Sequence, residues 1–172
     1  MEFSTVHQES IRIKSKQAVF VIDPQEKGVK TITDAVLLLK NSEVLGTTVS
    51  GQRVIVSGPG EYEVGGVKIT GMNQNGMMYV LHVDEVEVFV TSASALEKTL
   101  EGNEYEIIVI NADTVLRESF ITTLSPKVVI IYGLQASEAA KALGRDSIPV
   151  AKYVISADKL PEEMEVIVLA NS

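Results

Sequence analysis

The chain has 172 residues, 45% of them hydrophobic, so it is long and apolar enough to bury the core of a single domain, residues 1–172. Its formal net charge is −8, and its basic residues are scattered, which argues against nucleic acid and anionic membranes as main partners. It contains no cysteine, which excludes disulfides, thiolate nucleophiles and cysteine-ligated zinc or iron–sulfur sites.

The first residues, Met1 to His7, lack the basic and apolar regions of a secretory signal. The longest apolar runs, such as Val128–Ile131, are too short to span a bilayer. We therefore expect a cytoplasmic protein without a membrane partner.

Strand patterns dominate the first half of the chain. Ser10–Ser15 alternates apolar and polar residues, which is typical of a half-buried strand. Ala18–Ile22 and Ala35–Leu39 are continuous apolar runs, typical of strands that are buried on both faces. Asp23 and Pro24 end the first of these two runs, because proline cannot continue a ladder. The other predicted strands are Phe3–Val6, Val49–Val56, Met77–Val83, Val86–Thr91, Tyr105–Ile110, Lys127–Tyr132, Tyr153–Ile155 and Glu165–Leu169.

The stretch Val54–Gly71 is rich in glycine and organises the middle of the chain. Its Gly-Pro-Gly and Gly-Gly groups, at 58–60 and 65–66, allow positive φ values that other residues avoid. We predict a sharp, rigid corner inside a β-sheet, with residues 61–63 on it.

The second half alternates strands and helices. Only Asp84 and Glu85 separate two strand patterns, so a tight hairpin is predicted there. Capping residues and apolar spacing then predict three helices. They are Ala95–Leu100 after Ser94 and before Gly102, Thr114–Leu124 after Asp113, and Ser137–Leu143 before Gly144.

Four segments carry a resemblance that covers most of the chain, from about Phe3 to Leu169. They are Val19–Pro24, Thr33–Leu38, Gly58–Val67 and Ser125–Ile130. Together they resemble the metallo-β-lactamase superfamily, in particular its small bacterial hydrolases, and the Gly-Pro-Gly-Glu-Tyr-Glu sequence is the most specific part. The resemblance implies an α/β fold, an αββα sandwich of two mixed β-sheets with helices on the outer faces.

In that family a zinc pair, or a related metal, activates water for hydrolysis. The resemblance implies a first ligand motif, His-x-His-x-Asp-His, directly after the Ala35–Leu39 strand. Here Lys40 and Ser42 stand at the two histidine positions, and Val44 and Leu45 stand at the Asp-His pair. A protonated lysine has no lone pair for a metal, and valine and leucine have no donor atom.

The later ligands implied by the resemblance are missing too. Val90–Ala93 stands where the next histidine and the bridging aspartate would follow, and Tyr132-Gly133 stands at the last histidine. The chain has two histidines, His7 and His82, and neither falls at a ligand position. The sequence therefore predicts a degenerate member with no catalytic, cofactor-binding or metal-binding residue of the family kind.

Several single residues allow a functional and a structural interpretation. His82 could be a base or a lone ligand, but a solvated or satisfied strand histidine is favoured, and His7 is expected to be solvated. Asp23 resembles the acidic residue that supports the metal loops; without a metal, it is expected to cap backbone N–H groups at the end of its strand. Lys40 could bind an anion, yet a solvent-exposed loop lysine is favoured.

The remaining polar candidates are interpreted as structural. Glu61 and Glu63 are expected on one face of a strand, opposite Tyr62, as solvated carboxylates rather than an acid–base pair. The carboxylates of Asp84, Glu85 and Glu87 lack the spacing of a calcium loop. The hydroxyls of Thr91–Ser94 have no histidine and acid partners in sequence, and Ser94 is interpreted as a helix cap.

Three functions remain open at this point. The favoured one is a non-catalytic binding or structural module that kept the sandwich and lost the metal, with an unknown protein partner or a second copy of itself. The second is a hydrolase with a relocated or metal-free site around Lys40, Asp23 and His82. The third is a sensor that binds a small ligand in the vacated pocket, and fold alone does not choose among them.

Overall fold

The computed structural model describes residues 1–27, 30–40, 48–96, 103–145 and 147–171. The strands of the first half are β1 Glu2–His7, β2 Ser10–Lys14, β3 Val19–Ile22, β4 Thr31–Ile32, β5 Ala35–Leu37, β6 Val49–Ser50, β7 Val54–Val56, β8 Gly60–Val64 and β9 Val67–Asn73. The second half contains β10 Met77–Val83, β11 Val86–Ser92, α1 Ala93–Leu96, β12 Ile107–Asn111, α2 Glu118–Thr123, β13 Val128–Tyr132, α3 Ala136–Ala142, β14 Lys152–Val154, a short 3₁₀ helix Ala157–Lys159 and β15 Glu165–Val168.

Two mixed β-sheets make up most of the described structure. The six-stranded sheet has the order β14-β1-β2-β3-β5-β7, and the seven-stranded sheet has the order β15-β13-β12-β11-β10-β9-β8. In the first sheet β3, β5 and β7 are parallel, and in the second β11, β12, β13 and β15 are parallel. A small pair of parallel strands, β4 and β6, stands apart from both sheets.

The main core lies between the two sheets. Alternation along the strands sends every second side chain inward, so the buried runs predicted from sequence contribute to two layers at once. From the six-stranded sheet come Phe3, Ile11, Ile13, Phe20, Ile22 and Leu37, and from the seven-stranded sheet come Ile69, Tyr79, Leu81, Val88, Val90, Val109, Ile130 and Tyr132. The two facing mixed sheets agree with the predicted sandwich.

The outer faces of the sheets are covered differently. All three α-helices pack on the far side of the seven-stranded sheet, where Leu96, Ile121 and Ala139 meet Ile108 and Val129. On the far side of the six-stranded sheet, the apolar cluster includes Val49 of β6 and, among the described residues, no helical residue. The expectation of helices on both outer faces is therefore corrected to one helical layer in the described part of the chain.

The glycine-rich stretch makes two turns rather than one corner inside a sheet. The Gly58-Pro59 segment takes the chain from β7 at the edge of one sheet to β8 at the edge of the other, and Gly65-Gly66 closes the β8–β9 hairpin with positive φ values. Gly71 lies beneath this crossing, since a Cβ atom there would stand 2.7 Å from the Gly58 carbonyl oxygen. Residues 60–64 form strand β8, which agrees with the predicted strand alternation of Glu61, Tyr62 and Glu63 but not with their place on a corner.

Asp84 and Glu85 form the predicted two-residue hairpin turn, with φ values of 50° and 67°. Of the helices, Ala136–Ala142 agrees with the predicted one before Gly144. The predicted helix over Thr114–Leu124 is wrong in its first turn, because α2 begins only at Glu118 and Val115 is 66% exposed. The helix predicted over Ala95–Leu100, with Glu97 and Gly102, lies partly outside the described residues. None of the helices in the described residues is long and apolar enough to cross a membrane.

Candidate functional site

The candidate site lies where three parallel strands of the seven-stranded sheet end side by side. Ser92, Asn111 and Tyr132 are the last residues of β11, β12 and β13, and they are in register with one another. Asn111 and Tyr132 are fully buried, and Ser92 is 7% exposed. By alternation from Val90, Val109 and Ile130, which face the main core, all three side chains point into the space between the sheets. We call these three residues the polar row.

The six-stranded sheet contributes Asp23 at the same edge. Asp23 follows β3 directly and has a positive φ of 46°, which turns its carboxyl group back towards the end of β5. Its Oδ1 atom accepts the backbone N–H groups of Leu39, at 2.9 Å, and Lys40, at 3.2 Å. The expected capping role agrees with this geometry, except that Asp23 binds the end of the neighbouring strand rather than its own.

The carboxyl group of Asp23 is nearly enclosed. Burial raises its pKa from 3.8 to about 6, although the N–H groups of Lys40 and Leu39 and the charge of Lys40 act in the opposite direction. Its second oxygen, Oδ2, is buried and has no hydrogen-bond partner among the described residues. Asp23 is therefore a carboxyl group that can gain or lose a proton near neutral pH.

Two tyrosines fill the space beside Asp23. The hydroxyl of Tyr79 lies 2.7 Å from the Leu38 carbonyl oxygen and 3.0 Å from that of Val56, so this β10 side chain ties the two sheets together. Burial, and then the charge of Asp23, raise the pKa of Tyr79 and of Tyr132 above the ordinary value of 10.0. Both phenols are consequently neutral hydrogen-bonding groups.

Asn111 is the middle residue of the polar row and lies against the turn that follows β13. Its amide lies close enough to the Tyr132 hydroxyl to counteract part of the rise in the tyrosine pKa, but neither group has a hydrogen bond of normal geometry. Gly133 has a φ of 105°, and a Cβ atom there would stand 2.7 Å from Asn111 Oδ1. The glycine is needed because the buried amide occupies the space of a side chain.

Lys40 lies at the rim rather than inside the site. Its Nζ atom is 2.6 Å from Glu9 Oε1, and both side chains are about one-third exposed. Glu9 balances the charge of Lys40, so the structure agrees better with an exposed loop lysine than with a free anion-binding group. Ser42, Val44 and Leu45, the other residues at the implied ligand positions of this loop, lie outside the described residues.

Hydrogen bonds join Ser92, Ser94 and Asp113 after the end of β11. The Ser94 hydroxyl donates to Asp113 Oδ2 at 2.6 Å, so the hydrogen between Ser92 and Ser94, whose oxygens are 3.1 Å apart, belongs to Ser92. Ser92 also accepts the N–H group of Ala95 and is thus the cap of α1, the role predicted for Ser94. Asp113, predicted to cap the next helix, binds Ser94 instead, 19 residues earlier in the chain.

The two histidines are not part of this site. His82 lies on β10 with Nδ1 3.1 Å from Glu87 of β11, and its side chain is 45% exposed. It alternates with Leu81 and Val83, which face the main core, so His82 points away from Asp23 and Lys40. His7, expected to be solvated, is half-buried at the end of β1, and its Nδ1 atom is buried without a partner among the described residues.

The remaining acidic candidates stand in solvent or in turns. Glu61 and Glu63 are exposed on β8, and Tyr62 packs towards the main core between them, as predicted. The Asp84 carboxyl binds the N–H group of Lys16, and Glu87 pairs with His82. The structure does not bring these residues to the polar row.

The residues at this edge do not fit a zinc pair. Such a site needs several imidazole or carboxylate ligands, whereas the polar row and its neighbours offer hydroxyl, amide and phenol groups with one carboxylate, Asp23. That carboxylate already accepts two N–H groups through Oδ1. Within the part of the chain that the structure describes, no group of three or more His, Asp or Glu side chains could hold a metal ion.

Sequence reasoning missed Asn111 and Tyr79 as members of this cluster. Asn111 is the polar residue that ends the apolar run Ile107–Ile110, and Tyr79 is a hydroxyl-bearing residue within an apolar strand. A polar group at the end of a fully buried strand was the available signal, because such a group must find partners inside the protein.

Neither a scan against protein-family models nor a search of curated proteins finds a match. Solved structures do match, and one of them, from Thermotoga maritima, is described as a zinc-dependent hydrolase of the metallo-β-lactamase superfamily. It matches with a TM-score of 0.73 and 16% identity over 98% of each chain. An isothiocyanate hydrolase from Delia radicum gut bacteria has a TM-score of 0.60 and 12% identity, over 91% of this chain and 100% of that one.

A metallo-β-lactamase-fold protein from Bacillus subtilis has a TM-score of 0.57 and 8% identity, over 99% of this chain and 96% of that one. At these identities the likeness concerns the fold. The chain has the metallo-β-lactamase fold, as the four sequence segments indicated.

Proposed function

We propose that this protein is a non-catalytic member of its fold class, one that has lost the zinc site and acts as a binding or structural module. The observation that supports this most is the polar row. Asn111 and Tyr132 are fully buried at the ends of β12 and β13, next to the position at 132–133 that the resemblance assigns to the last ligand. A hydrolytic zinc centre needs several imidazole or carboxylate ligands, and the described side chains here are mainly hydroxyl, amide and phenol groups, which supports the proposal.

An activity assay tests this proposal. The full chain is incubated with β-lactam and phosphodiester substrates, once with added zinc and once after chelation, and we expect no turnover above the buffer rate in either condition. Zinc-dependent turnover would contradict the proposal.

Hydrolase activity without a metal is the second candidate, supported by the hydrolase names of two structural neighbours. The constellation first considered for it is not assembled, since His82 points away from Asp23 and Lys40. Turnover that persists after chelation and is lost in the Lys40→Ala variant would favour this candidate.

A small-ligand sensor is the third candidate, and a cavity supports it. The cavity has a volume of about 320 Å³ beside the end of β5, with Leu38, Leu39 and Lys40 on one wall. Ser57, Asn73 and Met77 face them. A ligand that raises the melting temperature of the wild type but not of a Met77→Trp variant would favour this candidate.

The partner of a structural module is proposed to be another protein or a second copy of the chain, in the cytoplasm. Val154 is 61% exposed on β14, an edge strand of the six-stranded sheet, and an apolar side chain on an open sheet edge supports association. Light scattering over a concentration series checks self-association: a mass that stays at 18.6 kDa would contradict the homodimer.

A further inference from the structure

Asp23 has an oxygen atom that the fold leaves without a partner. Oδ1 receives two backbone N–H groups, from Leu39 and Lys40, but Oδ2 is buried and receives none from the described residues. The Asn111 amide and the Tyr132 hydroxyl are also buried, and neither has a hydrogen bond of normal geometry among the described residues. An ionised carboxylate in this place therefore has one buried oxygen that no described donor stabilises.

The charged and titratable groups around Asp23 come from four elements. Lys40 at the end of β5 favours the ionised form, whereas Glu9 in the turn between β1 and β2 opposes it. Because Lys40 Nζ is 2.6 Å from Glu9, these two charges largely balance each other. Tyr79 and Tyr132 face Asp23 from β10 and β13 as neutral phenols.

We propose that Asp23 is a proton-operated latch, whose protonated carboxyl group keeps the end of β5 closed over the polar row and whose ionisation opens it. In the protonated form Oδ1 still accepts from Leu39 and Lys40, and Oδ2 carries a hydrogen and no charge. In the ionised form Oδ2 shares a buried negative charge and has no donor among the described residues. Movement of Leu39 and Lys40 away from the polar row lets water reach it.

The direction of the switch follows from proton linkage. In the closed form burial raises the pKa of Asp23 to about 6, and a carboxyl group exposed by opening returns to the ordinary value of 3.8. The closed form therefore binds the proton more tightly, so ionisation shifts the equilibrium towards the open form. Each pKa unit corresponds to a factor of ten, which makes the expected change in the opening constant about 100-fold.

The latch has a defined consequence for the molecule. Leu38, Leu39 and Lys40 form one wall of the cavity of about 320 Å³, and the same three residues are the segment that Asp23 holds. Opening of this wall at neutral pH changes the shape of the cavity. This inference goes beyond the proposed function and does not depend on which partner the module binds.

Hydrogen exchange measured by NMR on the full chain tests the latch. The opening constants of the Leu39 and Lys40 amides, corrected for the intrinsic exchange rate, are followed from pH 4.5 to pH 8. We expect a rise of about 30-fold over this range with the half-maximal constant near pH 6, because part of the 100-fold change falls below pH 4.5. Asp23→Asn should keep the constant low and flat, because asparagine is neutral and tolerates a positive φ.

Asp34→Asn is the matched control. Asp34 also accepts a backbone N–H group, from Val19, but its side chain is 30% exposed and paired with Arg53. This variant should retain the wild-type profile at Leu39 and Lys40. A flat profile in the wild type, or a rise that persists in Asp23→Asn, would overturn the latch.

A second measurement keeps the test decisive if the Asp23→Asn variant does not fold. The carboxyl carbon of Asp23 is followed by NMR titration in the wild-type protein. A midpoint near pH 6 supports the latch, and a midpoint near the ordinary value for aspartate overturns it.

Discussion

The parallel strands β3 and β5 are fastened at both ends by an aspartate, and the two ends differ in burial. At one end Asp34, just before β5, accepts the N–H group of Val19 at 2.9 Å, and Arg53 and solvent surround its carboxyl group. At the other end Asp23, just after β3, accepts the N–H groups of Leu39 and Lys40 and is 1% exposed.

The comparison shows that two aspartates that both accept backbone N–H groups are stabilised differently when their surroundings differ. At the Asp34 end, solvent and a guanidinium stabilise the negative charge. At the Asp23 end, burial opposes it and raises the pKa to about 6. The buried end is thus where substitution and pH should have their largest effects.

The largest effect is expected for Gly133→Ala. The new Cβ atom would stand 2.7 Å from Asn111 Oδ1 at a φ of 105°, so strain and overpacking add, at a cost of about 3 kcal/mol in unfolding free energy. Gly144→Ala is the matched control, with a φ of 68° and no atom within 4 Å of the added Cβ atom, at about 1 kcal/mol. Urea denaturation measures both; equal losses would mean that the buried edge is not tightly packed.

Asp23→Asn should change the pH dependence of stability. Folded Asp23 has a raised pKa, so its contribution is fully present below about pH 4 and is lost as the pH rises through about 6. The variant should lack this loss, which amounts to about 3 kcal/mol between pH 4 and pH 8. Denaturation curves at several pH values measure it, and an unchanged slope in the variant would contradict a raised pKa.

Tyr79→Phe should cost about 2 kcal/mol, because the buried Leu38 carbonyl oxygen loses the hydroxyl 2.7 Å away, whereas the Val56 carbonyl oxygen keeps the N–H group of Leu38. Tyr62→Phe is the control at the solvent-exposed crossing, where the hydroxyl donates to the Gly58 carbonyl oxygen and a loss of about 0.5 kcal/mol is expected. Thermal denaturation ranks the two variants. A larger loss of stability in Tyr62→Phe than in Tyr79→Phe would contradict the expectation that the buried hydroxyl contributes more.

The smallest effect is expected for the Lys40–Glu9 pair. Both side chains are about one-third exposed, so the double-mutant cycle of Lys40→Ala and Glu9→Ala should give a coupling energy of about 0.5 kcal/mol. The coupling should weaken in 1 M salt. A coupling energy above about 2 kcal/mol would mean that Lys40 and Glu9 behave as a buried ion pair, which would contradict the expected weak coupling.

Local patterns in the sequence predicted most of the strands and the Asp84-Glu85 hairpin, because each depends on neighbours in the chain. The partners of Asp23 are instead 16 and 17 residues away, at the end of another strand. The burial of Asp23 could not be predicted, since it depends on Tyr79 and Tyr132 arriving from the other sheet. The role of Asp113 was mispredicted for the same reason. Its partner Ser94 follows a different strand, whereas the sequence suggested only the nearest local role, a cap for the following helix.

Residue types argue against zinc, since lysine, valine and leucine at the implied ligand positions offer no usable donor, and this stays a prediction for residues 42, 44 and 45, which lie outside the described residues. Which side chains fill the edge could not be predicted. The alignment of Ser92, Asn111 and Tyr132 requires the register of three parallel strands whose ends are separated by about twenty residues each.

We propose that the sheet edge with Asp23, Asn111 and Tyr132 does not hold zinc. Native mass spectrometry of the full chain, refolded with excess zinc and then desalted, tests it most directly. The account predicts the mass of the metal-free chain. One or two zinc ions retained per chain, and released when Asp23 is replaced by asparagine, would contradict it.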